Sequence, residues 1–260
     1  MTLFDDRDRA DRPNAPLAVR MRPRTVDEVV GQESALAEGS PLRSLVTGGV
    51  RGTVSVVLWG PPGTGKTTLA TLVSRESGRV FTELSAVTAG VKDVRAVIDD
   101  ARERLRLHDV GTVLFVDEVH RFSKSQQDAL LPAVENGWVT LIAATTENPS
   151  FEVIPALLSR SQVYVLEAFG REELEALVHR ALAEDTWLQE QRVEVREWNA
   201  LLRSSGGDGR RLLNVLELVA AGAAAERSAD SEGGITVDDA LVSRFVQANL
   251  SRYDKTGDTH

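Results

Sequence analysis

The sequence contains no cysteine and no long apolar run. The absence of cysteine excludes a disulfide framework, a cysteine-ligated zinc site and a thiol nucleophile, and it fits a reducing compartment. No segment approaches the ~18 consecutive apolar residues that a membrane-spanning helix needs. The first residues also lack the apolar core of a secretory signal. We therefore expect a soluble cytoplasmic protein without a membrane partner.

The chain also lacks an excess of positive charge. Its net charge is -9, from 30 Lys and Arg against 39 Asp and Glu. Such a balance argues against a protein that coats nucleic acid through its overall charge. One short segment differs, because it contains no acid and four arginines: Arg12, Arg20, Arg22 and Arg24. This segment offers a contact for a phosphate backbone or for a neighbouring subunit.

The length of 260 residues allows one large domain or one and a half. Apolar, strand-like runs alternate with helical patterns in the first part, which predicts a mostly parallel α/β sheet. The strands are predicted at residues 54–59, 80–84, 113–116, 139–145 and 162–166. After Phe169 and Gly170 only helical patterns follow, at residues 171–184, 193–204, 210–227 and 237–249. We therefore predict a mobile arm (1–16), an α/β nucleotide-binding domain (17–169), a small all-helical lid (170–250) and a short tail (251–260).

Residues 60–67, GPPGTGKT, match the pattern G-x-x-x-x-G-K-[ST] directly after a predicted strand and before a helix predicted at 66–76. Glycines let backbone N–H groups turn towards a phosphate chain, and a helix N-terminus favours its negative charge. Lys66 is expected to contact the β- and γ-phosphates and Thr67 to bind Mg²⁺. The predicted phosphate-binding residues are Gly60, Pro61, Pro62, Gly63, Thr64, Gly65, Lys66, Thr67 and Thr68.

Two acids, Asp117 and Glu118, follow the strand predicted at 113–116, at the edge where ligands bind in such sheets. Asp117 is predicted to hold Mg²⁺, directly or through water, and Glu118 to polarise the attacking water. Adjacent acids after a strand are also common as a solvated turn, so the prediction depends on the phosphate loop as well. A kinase needs a second substrate site, whereas a hydrolase needs only a positioned water, which favours hydrolysis. His120 is interpreted as a structural or interface residue.

These motifs resemble those of the AAA+ ATPases, and within them the clamp-loader clade and the MgsA/RarA (replication-associated recombination protein A) family. GPPGTGKT is the AAA+ form of the phosphate loop, and residues 20–32 resemble a box shared by clamp loaders, Holliday-junction motors and MgsA/RarA. The resemblance covers nearly the whole chain and implies ATP and Mg²⁺ as cofactors. The segments that resemble MgsA/RarA in particular are residues 117–122 together with 126–128, and residues 144–152, 207–214 and 253–260.

The resemblance also implies roles for two polar positions after the strand at 139–145. A polar side chain there would contact the γ-phosphate and the lytic water. Thr146 follows the strand directly, whereas Asn148 has the better spacing to Arg160, and an ordinary cap is the alternative for either. Arg160 would reach the ATP of a neighbouring subunit as an arginine finger. Its alternative role is that of an arginine at a helix C-terminus.

Further roles implied by the resemblance concern the second sensor and the adenine. The resemblance implies that Arg210, with Arg211 as the alternative, is the second sensor and contacts the phosphates. Arg210 opens a predicted helix, where a cation is unfavourable to the helix dipole, so we expect it to have a task other than helix stability. Val29, Val30 and Gln32 are expected near the adenine ring, and for the valines this coincides with core packing.

The family implied by the resemblance suggests a Mg-dependent ATPase that DNA and oligomerisation stimulate. It would act at forks, gaps or ends in replication-linked repair and recombination, in the cytoplasm at the nucleoid, with replication or repair proteins as partners. Family members continue past residues 253–260 into a region that carries the oligomerisation surface. We therefore expect an ATPase core that forms a homo-oligomer in the full-length protein and is a weak ATPase alone.

Three alternatives remain at this stage. A clamp-loader subunit of the same superfamily is one alternative. The bacterial form of this subunit carries a zinc module, and the absence of cysteine argues against it. A nucleotide-dependent scaffold with little hydrolysis is opposed by Lys66, Asp117 and Glu118. A small-molecule kinase would have little use for Arg160 or for a helical second domain.

Overall fold

A computed structural model describes residues 14–47, 54–227 and 233–257, with side chains up to residue 249. The chain divides into two compact units. Pro23–Glu167 forms an α/β unit, whereas the described residues before Pro23 group with Ala168 and the residues that follow it in a helical unit. Residues 1–13 of the predicted arm, including Arg12, and residues 258–260 of the tail lie outside the described ranges.

The α/β unit begins with a 3₁₀ turn (Val26–Glu28) and contains five strands, each predicted from the sequence to within two residues. The first described helix, α1 (Leu17–Arg20), lies in the helical unit. In chain order the elements are α2 (Pro41–Val46), β1 (Ser55–Trp59), α3 (Lys66–Ser77), β2 (Val80–Ser85), α4 (Val91–His108), β3 (Thr112–Asp117), a 3₁₀ turn (Val119–Arg121), α5 (Lys124–Glu135), β4 (Val139–Thr145), α6 (Pro149–Glu152), α7 (Pro155–Leu158) and β5 (Ser161–Val165).

All five strands are parallel, in the order β2-β3-β4-β1-β5. The predicted five-stranded parallel sheet is therefore confirmed. Val57 in β1 pairs with Ala143 in β4, and Ala143 also pairs with Val116 in β3, so the three strands are in register. Their carboxyl ends meet at one edge of the sheet, where the phosphate loop and the two acids begin.

Helices cover both faces of the sheet because its central strands are apolar on both sides. On one face Val57 and Leu114 pack in a cluster with residues of α4 and α5, such as Ile98 and Leu130. On the other face residues such as Phe115 pack with residues of α2 and α3. Alternate residues of β1, β3 and β4 thus face different helices, which is the period of a β-strand.

The helical unit contains α8 (Arg171–Glu184), α9 (Thr186–Glu190), α10 (Asn199–Ser205), α11 (Gly209–Glu226) and α12 (Asp239–Gly257). The helix predicted at 193–204 is wrong in its first part, because β6 (Val193–Val195) pairs in parallel with β7 (Ile235–Val237). A short apolar run has no distinctive period, so the pairing partner decides between helix and strand. No described helix is long and apolar enough to cross a membrane.

The segment before Pro23 differs from its assignment to the α/β domain. Leu17 and Met21 are buried in the core of the helical unit. Arg20 forms ion pairs with Asp185 at 2.6 Å and Glu217 at 2.9 Å. Burial alone would lower the pKa of Arg20, but hydrogen bonds to the two carboxylates raise it overall. Apolar and ionic contacts together place this segment in the helical unit.

Candidate active site

The phosphate loop connects β1 to α3, as predicted from its sequence. Gly63 and Gly65 have φ angles of 73° and 95°, a region that side chains with a Cβ rarely adopt. The backbone N–H groups of Gly63, Gly65 and Thr67 donate no hydrogen bond to any described residue. A loop of open donors at the N-terminus of a helix fits a phosphate chain, because both the donors and the helix dipole favour negative charge.

The side chain of Lys66 is held by backbone carbonyls of the phosphate loop. Its Nζ donates to the carbonyl oxygens of Gly60 and Pro61, each at 2.7 Å. The Thr64 hydroxyl also donates to the Pro61 carbonyl, at 3.0 Å, and Thr64 is buried. The loop therefore positions the ammonium group against its own turn, where a bound phosphate would meet it.

Gly60 has a structural task that the motif alone did not indicate. A Cβ at this position would lie 2.2 Å from the carbonyl oxygen of Leu166. Its backbone N–H donates to the Thr145 carbonyl at 3.1 Å, at the end of β4. The first glycine of the loop thus lies between the ends of β4 and β5, and close backbone packing requires it.

Asp117 ends β3, and Glu118 follows in the left-handed region with φ of 52°. The Asp117 carboxylate accepts a hydrogen bond from the Glu118 N–H at 3.1 Å through Oδ1. The Glu118 carboxylate forms an ion pair with Arg121 at 2.9 Å and remains 38% exposed. Left-handed backbone at a residue other than glycine is a local strain that concentrates at functional sites. The turn leaves both acids half-buried at the carboxyl edge of the sheet.

The Mg²⁺ predicted at this edge can be tested against the groups present. The Thr67 hydroxyl forms no hydrogen bond with the described residues, and the Oδ2 atom of Asp117 also accepts none. Hydroxyl and carboxylate oxygens are the ligands that Mg²⁺ takes alongside substrate phosphates. The available donor set therefore fits a magnesium ion.

The polar residues after β4 differ in what they contact. The Thr146 hydroxyl has no partner among the described residues, whereas Oδ1 of Asn148 accepts from the Ser150 N–H at 3.0 Å and caps α6. His120 lies 3.1 Å from the Thr145 hydroxyl through Nδ1, and so it joins the turn after Glu118 to the end of β4. A bond within the protein matches the structural role predicted for His120.

Arg160 lies at the end of α7 and is 41% exposed. Its Nη1 donates to the Ala156 carbonyl at 2.8 Å and to the Ser159 hydroxyl at 3.2 Å. Its Nη2 forms an ion pair with Glu135 at 2.7 Å. The guanidinium therefore contacts a helix C-terminus, as its alternative role expects, and remains at the surface, as an arginine finger requires.

Gln127 is a buried polar residue for which no sequence motif predicts a role. Its Nε2 donates to the carbonyls of Phe122 at 3.2 Å and Glu152 at 2.9 Å. Its Oε1 accepts from the Ile154 N–H at 2.9 Å. One amide thus joins the turn that follows Glu118 to the segment that leads to Arg160. In the sequence, only the position of Gln127 on the apolar side of α5 could have indicated that its amide is buried and bonded.

Gln32 has protein partners on both sides of its amide. Nε2 donates to the Glu167 carbonyl at 2.9 Å and lies 3.4 Å from the Thr64 carbonyl, and Oε1 accepts from the Glu167 N–H at 3.0 Å. Val29 packs against the core cluster that includes Phe115. These contacts show a structural task for Gln32; the adenine site stays a prediction.

Arg210 lies in the helical unit as the second residue of α11. Asp208 caps this helix by accepting from the Arg211 N–H at 2.9 Å. Both arginines are exposed, and neither guanidinium has a partner among the described residues. The cap satisfies the first turn, so Arg210 is not needed there for helix stability.

Comparisons with known proteins agree with this geometry. The family model described as "ATPase family associated with various cellular activities (AAA)" matches residues 56–167, and the one described as "AAA C-terminal domain" matches residues 189–260. An AAA domain-containing protein of Mycobacterium tuberculosis, Rv2559c, is 51% identical over 95% of this chain and 52% of its own length. Replication-associated recombination protein A of Coxiella burnetii is 44% identical over 94% of this chain and 54% of its own length.

Among solved structures, the RuvB Holliday junction branch migration motor of Thermotoga maritima superimposes with a TM-score of 0.65. The two sequences are 25% identical, and the superposition covers 88% of this chain and 72% of the RuvB chain. Fold, phosphate loop and matches together define an AAA+ ATPase domain. Within this class the chain belongs to the MgsA/RarA family, the replication-associated recombination proteins A. It spans about half the length of the curated relatives it matches.

Proposed function

We propose that this chain is the catalytic core of a DNA-linked AAA+ ATPase. It binds ATP with Mg²⁺, hydrolyses the terminal phosphate and couples this turnover to DNA at forks, gaps or ends. The observation that carries the proposal is the carboxyl edge of the sheet. There the open N–H donors of the phosphate loop follow β1, and the Asp117–Glu118 turn follows β3.

In the proposed reaction the chain's own groups act on the triphosphate. Lys66 and the open N–H groups of the loop bind the phosphates. Thr67 and Asp117 would hold Mg²⁺, which when bound neutralises charge on the phosphate oxygens. Glu118 accepts the proton of the attacking water, since its carboxylate is exposed and follows the strand directly. The products are ADP, phosphate and a proton.

The γ-phosphate sensor is assigned to Asn148, with Thr146 as the second candidate. The cap that Asn148 makes through Oδ1 fixes its amide, and the Nδ2 group donates to no described residue. A fixed amide with open N–H donors suits a terminal phosphate. The Thr146 hydroxyl is also open. Asn148→Ala and Thr146→Val, compared in ATP turnover, distinguish the two.

Arg160 is assigned to the ATP of a neighbouring copy. Its surface position supports a role outside its own protomer, and arginine fingers in other systems contribute roughly 10³–10⁵ in rate. Such a role requires self-association of this chain. Arg210 and the Val29–Val30 segment complete the proposal as the second sensor and an adenine contact. Both assignments rest on the resemblance.

The link to DNA rests on the names of similar proteins and on a short basic segment. One relative is named for replication-associated recombination, and RuvB is named as a Holliday junction motor. Arg22 and Arg24 are exposed or half-exposed and belong to the arginine-rich segment without acids. The proposed site of action is the bacterial cytoplasm at the nucleoid, together with replication or repair proteins.

The test is the ATPase rate against protein concentration, with and without single-stranded, gapped and forked DNA. The rate per chain is expected to rise with concentration and with one of the DNA forms, and Arg160→Ala is expected to remove the rise. Arg203→Ala, an exposed arginine of the helical unit, is the matched control. A rate independent of concentration, DNA and Arg160 would refute coupled turnover. Nucleotide binding without turnover would instead favour a scaffold.

A further inference from the structure

Glu135 occupies a position that helix stability does not explain. It is the last residue of α5, and a carboxylate at a helix C-terminus faces the negative end of the helix dipole. Its side chain is 45% exposed. Among the described residues its ionic partner is Arg160, which lies on another element. The position therefore indicates a task that involves Arg160.

The contacts of Arg160 show what Glu135 contributes. The Ala156 carbonyl and the Ser159 hydroxyl hold Nη1 from the same short segment. Glu135 holds Nη2 from a different helix and is the charged member of the three. The Nε group of Arg160 donates to no described residue, so the guanidinium keeps one N–H donor for a further acceptor.

A gain in folding stability does not account for the pair. Solvent screens exposed ion pairs, and ordering two long side chains opposes their attraction. Fixing one rotamer of Arg160 before it meets a neighbour has a different consequence, because the side chain then loses less freedom on binding. A fixed guanidinium is also aligned for a phosphate oxygen, which is the condition for electrostatic stabilisation of a transition state.

We propose that Glu135 is the positioning residue for Arg160, holding its guanidinium so that the neighbouring copy's triphosphate meets it in one orientation. The proposal rests on the trans role of Arg160 proposed above. Glu135 contacts no reacting atom in this arrangement. Glu135 acts through Arg160, and the two residues form one ion pair at the surface of the α/β unit.

The first arm of the test measures the side chain directly. The Nε–Hε and guanidinium NMR signals of Arg160, assigned with Arg160→Ala, report the rotation of the group. We expect restricted rotation in the wild type and faster rotation in Glu135→Gln, which keeps the shape and removes the charge. Glu226→Gln is the matched control, because its ion pair with Arg244 has the same 2.7 Å length and similar exposure. An unchanged Arg160 signal in Glu135→Gln overturns the proposal.

The second arm measures ATP turnover over a range of protein concentrations. Glu135→Gln is expected to lower the maximal turnover about fivefold at an unchanged KM for ATP, the upper range for the loss of an exposed ion pair. Glu135→Asp is expected to recover part of the rate. Faster rotation without a change in turnover, while Arg160→Ala still lowers it, also overturns the positioning role. A turnover insensitive to Arg160→Ala instead refutes the trans role itself, even with the NMR response intact.

Discussion

The side-chain amide of Gln32 pairs with the backbone of Glu167 through two hydrogen bonds, of 2.9 and 3.0 Å. Glu167 is the last residue of the α/β unit, and Gln32 itself has a positive φ of 64°. The same amide lies 3.4 Å from the Thr64 carbonyl in the phosphate loop. One buried residue thus holds the end of the unit and the loop together.

Replacing Gln32 by leucine should therefore destabilise the α/β unit. The variant leaves the Glu167 N–H and carbonyl without partners, which costs about 2 kcal/mol in the free energy of unfolding. Urea unfolding followed by circular dichroism measures this value. Glu167→Ala is the control, because the pairing uses only the backbone of Glu167 and its side chain is exposed. Equal stability of the two variants would contradict the structural task of Gln32.

Gly60→Ala should destabilise the fold before any effect on nucleotide binding is considered. The new Cβ would lie 2.2 Å from the Leu166 carbonyl, and backbone cannot move aside as a flexible side chain does. A loss of about 3 kcal/mol in unfolding free energy is expected from such overpacking. Gly233→Ala is the comparison, because no atom lies within 4 Å of a Cβ there. Thermal unfolding without nucleotide gives the answer.

Glu118→Gln should abolish turnover while ATP still binds. The amide cannot accept the proton of the attacking water, and general bases contribute about 10²–10⁴ in rate. Single-turnover hydrolysis and calorimetric ATP titration measure the two properties separately. Arg121→Ala removes the ion pair but keeps the carboxylate, so its rate should stay within about fivefold of the wild type because the pair is exposed. A Glu118→Gln variant that hydrolyses ATP at the wild-type rate would exclude the base.

Arg20→Ala should destabilise the helical unit by about 2 kcal/mol. Removal of the guanidinium leaves the Asp185 carboxylate, with its side chain 5% exposed, without a cation. Asp185 keeps its bond to the Leu188 N–H, which reduces the loss relative to a fully isolated charge. Arg203→Ala, exposed on α10, is the control for loss of an arginine in the same unit. Urea unfolding of both variants should separate them clearly.

The α/β unit could be predicted from its sequence because its signals are local. Apolar, β-branched runs predicted all five strands, and the GPPGTGKT motif predicted a loop between β1 and α3. The pair Asp117–Glu118 was found for the same reason, since it directly follows a buried run. In the helical unit the β6–β7 pair was missed, because each strand is three residues long and the partner is distant in the sequence.

The strands, the phosphate loop and the acidic turn follow from local sequence, since each depends on neighbours along the chain. Only the tertiary structure placed Leu17 and Arg20 in the helical unit, showed the close approach of Gly60 to Leu166, and paired Gln32 with Glu167 and Arg160 with Glu135. These contacts join residues far apart in the chain. These contacts therefore depend on the path of the folded backbone, and no local sequence pattern predicts which distant residues come together.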